Sequence, residues 1–266
     1  MEKIGYLGPE GSYSSIAAQK MRPDAELLPF KSFPQVFSSL VSSETDAIVI
    51  PIENSLNGGV LQNIDLLQST EGAYATEECI IKIDHRLAYK DGADKKAIKN
   101  IYSHAQALEQ CSKYLFENFP KARLIPTAST AASLEKILTV ADAGVIGAHM
   151  KIDGITLTPY NIADEDANFT HFLLVKLTMP SETARSRKIY FSVTCANRSG
   201  ALLHILERIS GHGLNMTKIE SRPIKNVPDE YRFFIETEGD YSSVQVKSAI
   251  ADIRKITNSF KLLGCY

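Results

Sequence analysis

The chain has 266 residues, 44% of them apolar, which is enough for one large domain or two modest ones with a core of their own. Its 29 Lys and Arg against 31 Asp and Glu leave a formal charge of −2, which argues against nucleic acid as a main partner, because phosphate backbones need a basic surface. Cys79, Cys111, Cys195 and Cys265 form no C-x-x-C pair and no cluster with histidine at metal spacing, and no signal-peptide core or run of about 20 apolar residues occurs, so the expectation is a cytoplasmic protein with reduced thiols and no metal.

From residue 3 to about 178, short apolar runs alternate with helical patterns. Ile4 to Leu7, Leu27 to Phe30, Ala47 to Ile52, Asn100 to Ser103 and Ala143 to Gly147 read as strands, and strands alternating with helices imply an α/β sheet. A helix over 104–118 puts Leu108, Cys111 and Leu115 on one face; one over 130–139 does the same with Leu134, Ile137 and Leu138. Pro180 to Lys188 has no apolar period and carries Arg185, Arg187 and Lys188, as a solvated linker does.

Beyond the linker, Ile189, Phe191, Val193 and Cys195 alternate like a half-buried strand. Ser199 reads as an N-cap; Leu202, Ile205, Leu206 and Ile209 follow on one helical face, and Gly211 and Gly213 end it. Strands over 214–221 and 230–237 are joined by a turn with Pro223, Pro228 and Asp229. A helix bearing Val246, Ile250 and Ile253 and a strand over 257–263 complete a βαββαβ, ferredoxin-like unit.

Four polar segments follow expected strands and precede expected helices: Gly8 to Ser14, Pro51 to Val60, Ser103 to Cys111 and Ala128 to Ala132. Free N–H groups at helix starts suit an anion, and in open α/β sheets such loops gather beyond the carboxyl ends of the strands. None of the four contains Lys or Arg, which suits a small carboxylate held by dipoles and hydroxyls. No P-loop and no G-x-G-x-x-G occurs, so neither ATP nor a nicotinamide is expected as cofactor.

These segments, with Asp164 to Leu174, carry a family resemblance. Tyr6-Leu-Gly-Pro-Glu-Gly-Ser-Tyr-Ser14, Pro51-Ile-Glu-Asn-Ser55 with Gly58-Gly-Val60, Ser103-His104 with Gln106-Ala-Leu108 and Gln110-Cys111, Asn168-x-Thr170-x-Phe172, Gly200-Ala-Leu202 and Glu220-Ser-Arg-Pro223 resemble the prephenate dehydratases, in the monofunctional form that ends in an ACT regulatory domain. The resemblance implies a catalytic domain over 1–180 with two lobes like a type II periplasmic binding protein, about 1–77 with 160–180 and 78–159, and an ACT domain over 187–266. It implies a lyase of phenylalanine biosynthesis that turns prephenate into phenylpyruvate, carbon dioxide and water. Such an enzyme has to fix two carboxylates and assist departure of the ring hydroxyl.

The resemblance makes Thr170 the catalytic hydroxyl and assigns Ser12, Asn54, Ser55, Ser103, Gln106, Ser129, His171 and Phe172 to the substrate. The family reads Thr-Arg-Phe where this chain has Thr170-His171-Phe172. Three readings follow: His171 substitutes in part for the arginine, it points away while another cation serves, or the reaction has become a non-aromatising decarboxylation of prephenate. Glu53 would repel a dianion and is expected to orient neighbouring donors. His85 reads as a satisfied structural histidine, Asp164 to Asp166 as a solvated turn, and His104 and His149 have no evident partners.

In the C-terminal domain the resemblance assigns Gly200, Ala201, Leu202, Asn215, Glu220, Ser221, Arg222 and Pro223 to L-phenylalanine as allosteric ligand, at an interface between subunits of a homodimer or homotetramer. From a different class, the same folds would serve a non-catalytic amino-acid-sensing binding protein.

Overall fold

The computed structural model describes residues 1–127, 130–137, 142–150, 152–179, 186–224, 227 and 230–266; Ser129, Leu138, Pro228, Asp229 and most of the expected linker lie outside them. In chain order the first lobe contributes β1 (Lys3–Leu7), α1 (Tyr13–Met21), β2 (Glu26–Phe30), α2 (Phe33–Val41), β3 (Ala47–Asn54), β4 (Gly58–Gly59), α3 (Leu61–Ser69) and β5 (Tyr74–Lys82). β1 pairs in parallel with β2 and β3, and its apolar run is covered on both faces, as central parallel strands require. Ser12 and Ser32 cap α1 and α2 by accepting from the Ser15 and Gln35 N–H groups.

The second lobe holds β6 (His85–Lys90), β7 (Asn100–Ser103), α4 (Ala105–Gln110), α5 (Ser112–Asn118), β8 (Arg123–Pro126), β9 (Asp142–Gly147) and β10 (Ile155–Leu157), in the sheet order β10-β6-β9-β7-β8. The helix expected over 104–118 is broken at Cys111, although Leu108, Cys111 and Leu115 all face the core. The helix expected over 130–139 is a 3-10 helix, Ala131–Lys136.

The chain returns to the first lobe through β11 (Phe169–Lys176), which lies between β3 and β5. β5 pairs with β11 from Tyr74 to Lys82, so the expected lobe break at 77–78 falls inside a strand and the crossing comes at Ile83–Asp84. Ala75 is buried in one first-lobe core and Cys79 and Ile81 in the other, on either side of a bulge at Thr76, which keeps the whole strand there.

The C-terminal domain is β12 (Lys188–Thr194), α6 (Ala201–Gly211), β13 (Met216–Pro223), β14 (Tyr231–Glu238), α7 (Val244–Ile256) and β15 (Ser259–Cys265). The residue at the start of α6 is Gly200, at φ +83, and not Ser199: the chain enters the helix through a left-handed turn that glycine adopts at little cost. β15 meets β5 at Gly264 and Ala75, joining both domains into one ten-stranded sheet of order β13-β14-β12-β15-β5-β11-β3-β1-β2, with β4 on β3. A Cβ on Gly264 would lie 2.4 Å from the Ala75 carbonyl oxygen, so glycine is what permits the junction. Tyr190, Phe234 and Leu263 of the C-terminal domain share a core with Val36, Ile64 and Leu67 of the first lobe. Among the described residues no helix is long and apolar enough to cross a membrane.

Candidate active site

A bulge near the end of β3 builds the site. Against β11, His171 faces Glu53 and Phe172 faces Pro51, leaving Ile52 without a partner. The extra residue lets Pro51 and Asn54, three positions apart, face the same side, while Ile52 and Glu53 both turn to the other. β11 alternates regularly, so Thr170 and Phe172 join Pro51 and Asn54 in front.

In front lies a cleft of about 280 Å³ between the lobes, close to the lower end of small-molecule pockets at about 300 Å³. Ser12, Tyr13 and Ser14 line it from the start of α1, Asn54, Asn168, Thr170 and Phe172 from the strand pair and its approach, and His85, His104, Gln106 and Gln110 from the second lobe. Leu7, Pro51, Ile83 and Phe172 form its apolar walls. Among the described residues the lining has no Lys, Arg, Asp or Glu.

Thr170 and Asn54 are both buried, and the Asn54 side chain is fixed from several directions. Its Oδ1 accepts from the Leu56 and Asn57 N–H groups, each at 3.2 Å, which orients its Nδ2 toward Asn168 Oδ1 at 2.7 Å, the Phe169 carbonyl at 3.2 Å and Thr170 Oγ1 at 3.0 Å. The threonine oxygen therefore accepts within the protein, and its hydrogen is free to point at a guest. Behind the pair, Asn168 Nδ2 donates to Gln110 Oε1 at 3.1 Å, and His85 Nε2 donates to the same oxygen at 2.9 Å. Burial pushes the His85 pKa down in spite of that bond, so the imidazole is neutral near pH 7.

Tyr13 and His149 also bridge the lobes. Tyr13 Oη, whose pKa burial raises, donates to the Asp84 carbonyl at 2.7 Å and accepts from the Asp84 N–H at 3.0 Å. His149 Nε2 donates to the Gly11 carbonyl at 2.8 Å, its ring edge against Tyr13 with centroids 4.8 Å apart.

Of the residues expected at the substrate, Ser12, Asn54, Gln106, Thr170 and Phe172 line the cleft. Ser55 does not: its hydroxyl donates to the Ala167 carbonyl and accepts from the Phe169 N–H, tying the turn after β3 to β11. Ser103 is fully buried and donates to the Val145 carbonyl at 2.6 Å, bonding β7 to β9. Ser129 lies outside the described residues.

His171 does not reach the substrate and points away from the cleft, as the second of the three readings has it. Strand alternation sends it to the back of β11, where Nδ1 meets Glu78 Oε1 at 2.8 Å, and the same oxygen takes Lys188 Nζ at 3.0 Å. Burial pushes the Glu78 pKa up, but the bonds from His171 and Lys188 outweigh it and hold the carboxyl below its ordinary value. Glu53 also faces backward, where it meets Lys218 Nζ at 2.6 Å.

Gln110, Asn168, His85, His104 and Tyr13 also line the cleft; Tyr13, His104 and Gln110 lie in segments expected there but were not singled out, and Asn168 and His85 were not assigned to it. Asn168 was legible as the residue two before Thr170, on the same face of an extended chain. Gln110 and His85 depend on the packing of the second lobe.

The eight residues assigned to an allosteric ligand do not surround one cavity within the chain. Ala201 lines a hollow of about 460 Å³ with Arg198, His204 and Asn258, at the start of α6 behind Gly200 and Leu202. Asn215 lies beyond the far end of that helix and donates to Glu238. On β13, alternation separates exposed Ser221 from Glu220 and Arg222, which turn to the first lobe, where Arg222 binds Asp65 and shares a hollow with Pro223.

The prephenate dehydratase family profile matches residues 4–179, and the ACT domain profile residues 189–255. A bifunctional chorismate mutase/prephenate dehydratase of Neisseria gonorrhoeae is 32% identical over 269 residues, 99% of this chain and 74% of that protein. A prephenate dehydratase of Amycolatopsis methanolica is 29% identical, covering 100% of this chain and 88% of its own. The crystal structure of prephenate dehydratase from Arthrobacter aurescens in complex with L-Phe superposes with a TM-score of 0.90 at 27% identity, over 99% of this chain and 89% of that one.

Proposed function

The chain belongs to the prephenate dehydratase family and carries an ACT domain behind its catalytic part, and on that premise we propose that it converts prephenate to phenylpyruvate, carbon dioxide and water. The observation that carries the reading is the Asn54–Thr170 pair, which offers a hydroxyl hydrogen to the cleft. Prephenate enters as a dianion and leaves as phenylpyruvate monoanion, CO2 and water, so one proton is taken up. The electron pair of the bond to the ring carboxylate moves into the ring as CO2 departs, and the ring hydroxyl leaves as aromaticity forms. Thr170 supplies a hydrogen bond or proton to that departing oxygen. A threonine is a weak acid, so its contribution is positioning inside a desolvated site.

The lining suits the other half of the reaction. Leu7, Pro51, Ile83 and Phe172 withdraw water from the ring carboxylate, which favours spreading its charge into the departing CO2. The second carboxylate is bound by the start of α1, with its free N–H groups and the Ser14 hydroxyl, and by the amide of Gln106, while Ser12, which donates to the Leu7 carbonyl and caps the helix, shapes that end of the cleft. His171, the one departure that suggested an altered reaction, lies outside the cleft. Incubation with prephenate tests the proposal: phenylpyruvate is expected, a non-aromatic keto acid would indicate decarboxylation alone, and no turnover would leave a binding protein.

For regulation, the proposed ligand is L-phenylalanine, bound between C-terminal domains of two subunits in a homodimer or homotetramer. Gly200 to Leu202 would come from one subunit and the β13 region from its neighbour, which accounts for their separation within one chain. A cytoplasmic setting would keep the four thiols in their reduced form. Calorimetry with phenylalanine, together with sedimentation, tests ligand and assembly.

A further inference from the structure

Three residues on one face of β13, at every second position, each reach the first lobe. Lys218 Nζ meets Glu53 Oε2 at 2.6 Å, the Glu220 carboxylate lies 3.7 Å from where a Cβ on Gly59 would be, and Arg222 holds Asp65 at 2.6 and 3.3 Å. The segment they grip, from Glu53 to Asp65, begins one residue before Asn54. On the neighbouring strand His171, one residue after Thr170, is tied through Glu78 to Lys188, which also meets Glu236 at 3.3 Å. Asn54 pairs with Thr170 in the ladder and Glu53 with His171, so the pair facing the cleft and the pair facing the C-terminal domain sit back to back.

The end of β3 needs such support. Beyond the bulge at Ile52 its far edge pairs with the two-residue strand β4, through Glu53 with Gly59 and Asn54 with Gly58, in place of a full strand. A shift of half an ångström there would stretch the 3.0 Å bond from Asn54 to Thr170 out of range.

We infer that Lys218 is a positioning residue: by holding Glu53 from behind it fixes Asn54, and so the direction of the Thr170 hydroxyl, with Lys188 bracing the adjacent strand through Glu78 and His171. The inference rests on Asn54 and Thr170 being the reacting pair. It makes the C-terminal domain part of the support of the active site.

The experiment uses the full chain with Lys218→Met, Lys218→Arg, Glu53→Gln and the double variant Glu53→Gln/Lys218→Met. Lys218→Met and Glu53→Gln should each lower kcat for prephenate by about tenfold and move KM by less than about twofold, on the scale of small misplacements at a reacting centre. The double variant should be no worse than the poorer single, since both break one contact, and Lys218→Arg should recover most of the rate. Hydrogen exchange gives a readout independent of activity. The Ser55 amide, bonded to the Phe169 carbonyl at 2.8 Å, should exchange faster in Lys218→Met while amides of β1 and β2 do not change. Wild-type kcat in both singles, losses that multiply in the double, or exchange that rises everywhere would overturn the inference. Absence of prephenate turnover by the unaltered protein would remove the proposed function, and the exchange arm would still decide the positioning.

Discussion

Asn54 Nδ2 donates to Thr170 Oγ1 across 3.0 Å, and two backbone N–H groups on Asn54 Oδ1 fix that direction. A hydroxyl that accepts inside the protein has its hydrogen left for the cleft, and this turns an ordinary strand threonine into a directed donor.

Thr170→Ala should lower kcat by about 100-fold or more, the scale of a lost, positioned proton donor, while Thr170→Ser keeps much of the rate. Steady-state production of phenylpyruvate measures both. A near-normal rate in the alanine variant would take Thr170 out of the mechanism.

Asn54→Asp changes almost no volume but turns the donor into an acceptor. The Thr170 hydrogen would then be drawn to the new carboxylate and away from the cleft. We expect a loss of kcat of about 100-fold, similar to that from removing the hydroxyl, and a lower melting temperature, because the new carboxylate oxygen faces Asn168 Oδ1 and the Phe169 carbonyl. Retained activity would mean that the direction of the hydroxyl is set by something else.

His171 lies behind the sheet, so His171→Ala should shift KM for prephenate by less than about twofold, the change expected of a residue without substrate contact. His171→Arg should keep its activity, since a longer cation can still reach Glu78. A large rise in KM in either variant would return the side chain to the substrate.

Gly264→Ala drives a methyl group into Ala75, whose carbonyl oxygen would be 2.4 Å away. The two strands must separate where the domains join, at a cost of about 1–3 kcal/mol, the range for overpacking. Calorimetric melting measures it, and an unchanged melting temperature would mean that the junction is loose in solution.

Glu78 is held below its ordinary carboxyl value of 4.5 by His171 and Lys188 against the opposing effect of burial. A carboxyl whose pKa is depressed by folding stabilises the protein above the unfolded value, and that contribution is lost as the pH falls through the folded one. Glu78→Gln should therefore be less stable than the parent at about pH 7, and the difference should narrow at about pH 3.5. Urea unfolding at the two values checks the sign; a gap that widens in acid would contradict it.

Much of the site was written locally. The motifs around Asn54 and Thr170 mark them as partners of one chemistry, and alternation from Asn168 to Phe172 needs no tertiary information to put three of five residues on a common face. That same alternation sets His171 against Thr170, as in the reading in which it points away from the substrate. Ser55 and Ser103 belong to the same motifs but serve the backbone, because their hydroxyls lie within reach of carbonyl groups that only folding brings near.

The sequence by itself determined the two-part organisation, five strands of the catalytic part and the βαββαβ order of the C-terminal domain, since these depend on periodicity and turn residues within short stretches, while the family resemblance supplied the candidate donor. The tertiary structure alone decided which side of each strand faces the cleft after the bulge at Ile52, that Gln110 and His85 join its lining through Asn168, and that β13 grips the first lobe. Each of these depends on contacts between segments far apart in the chain, and the energy of such a contact is not carried by either segment alone.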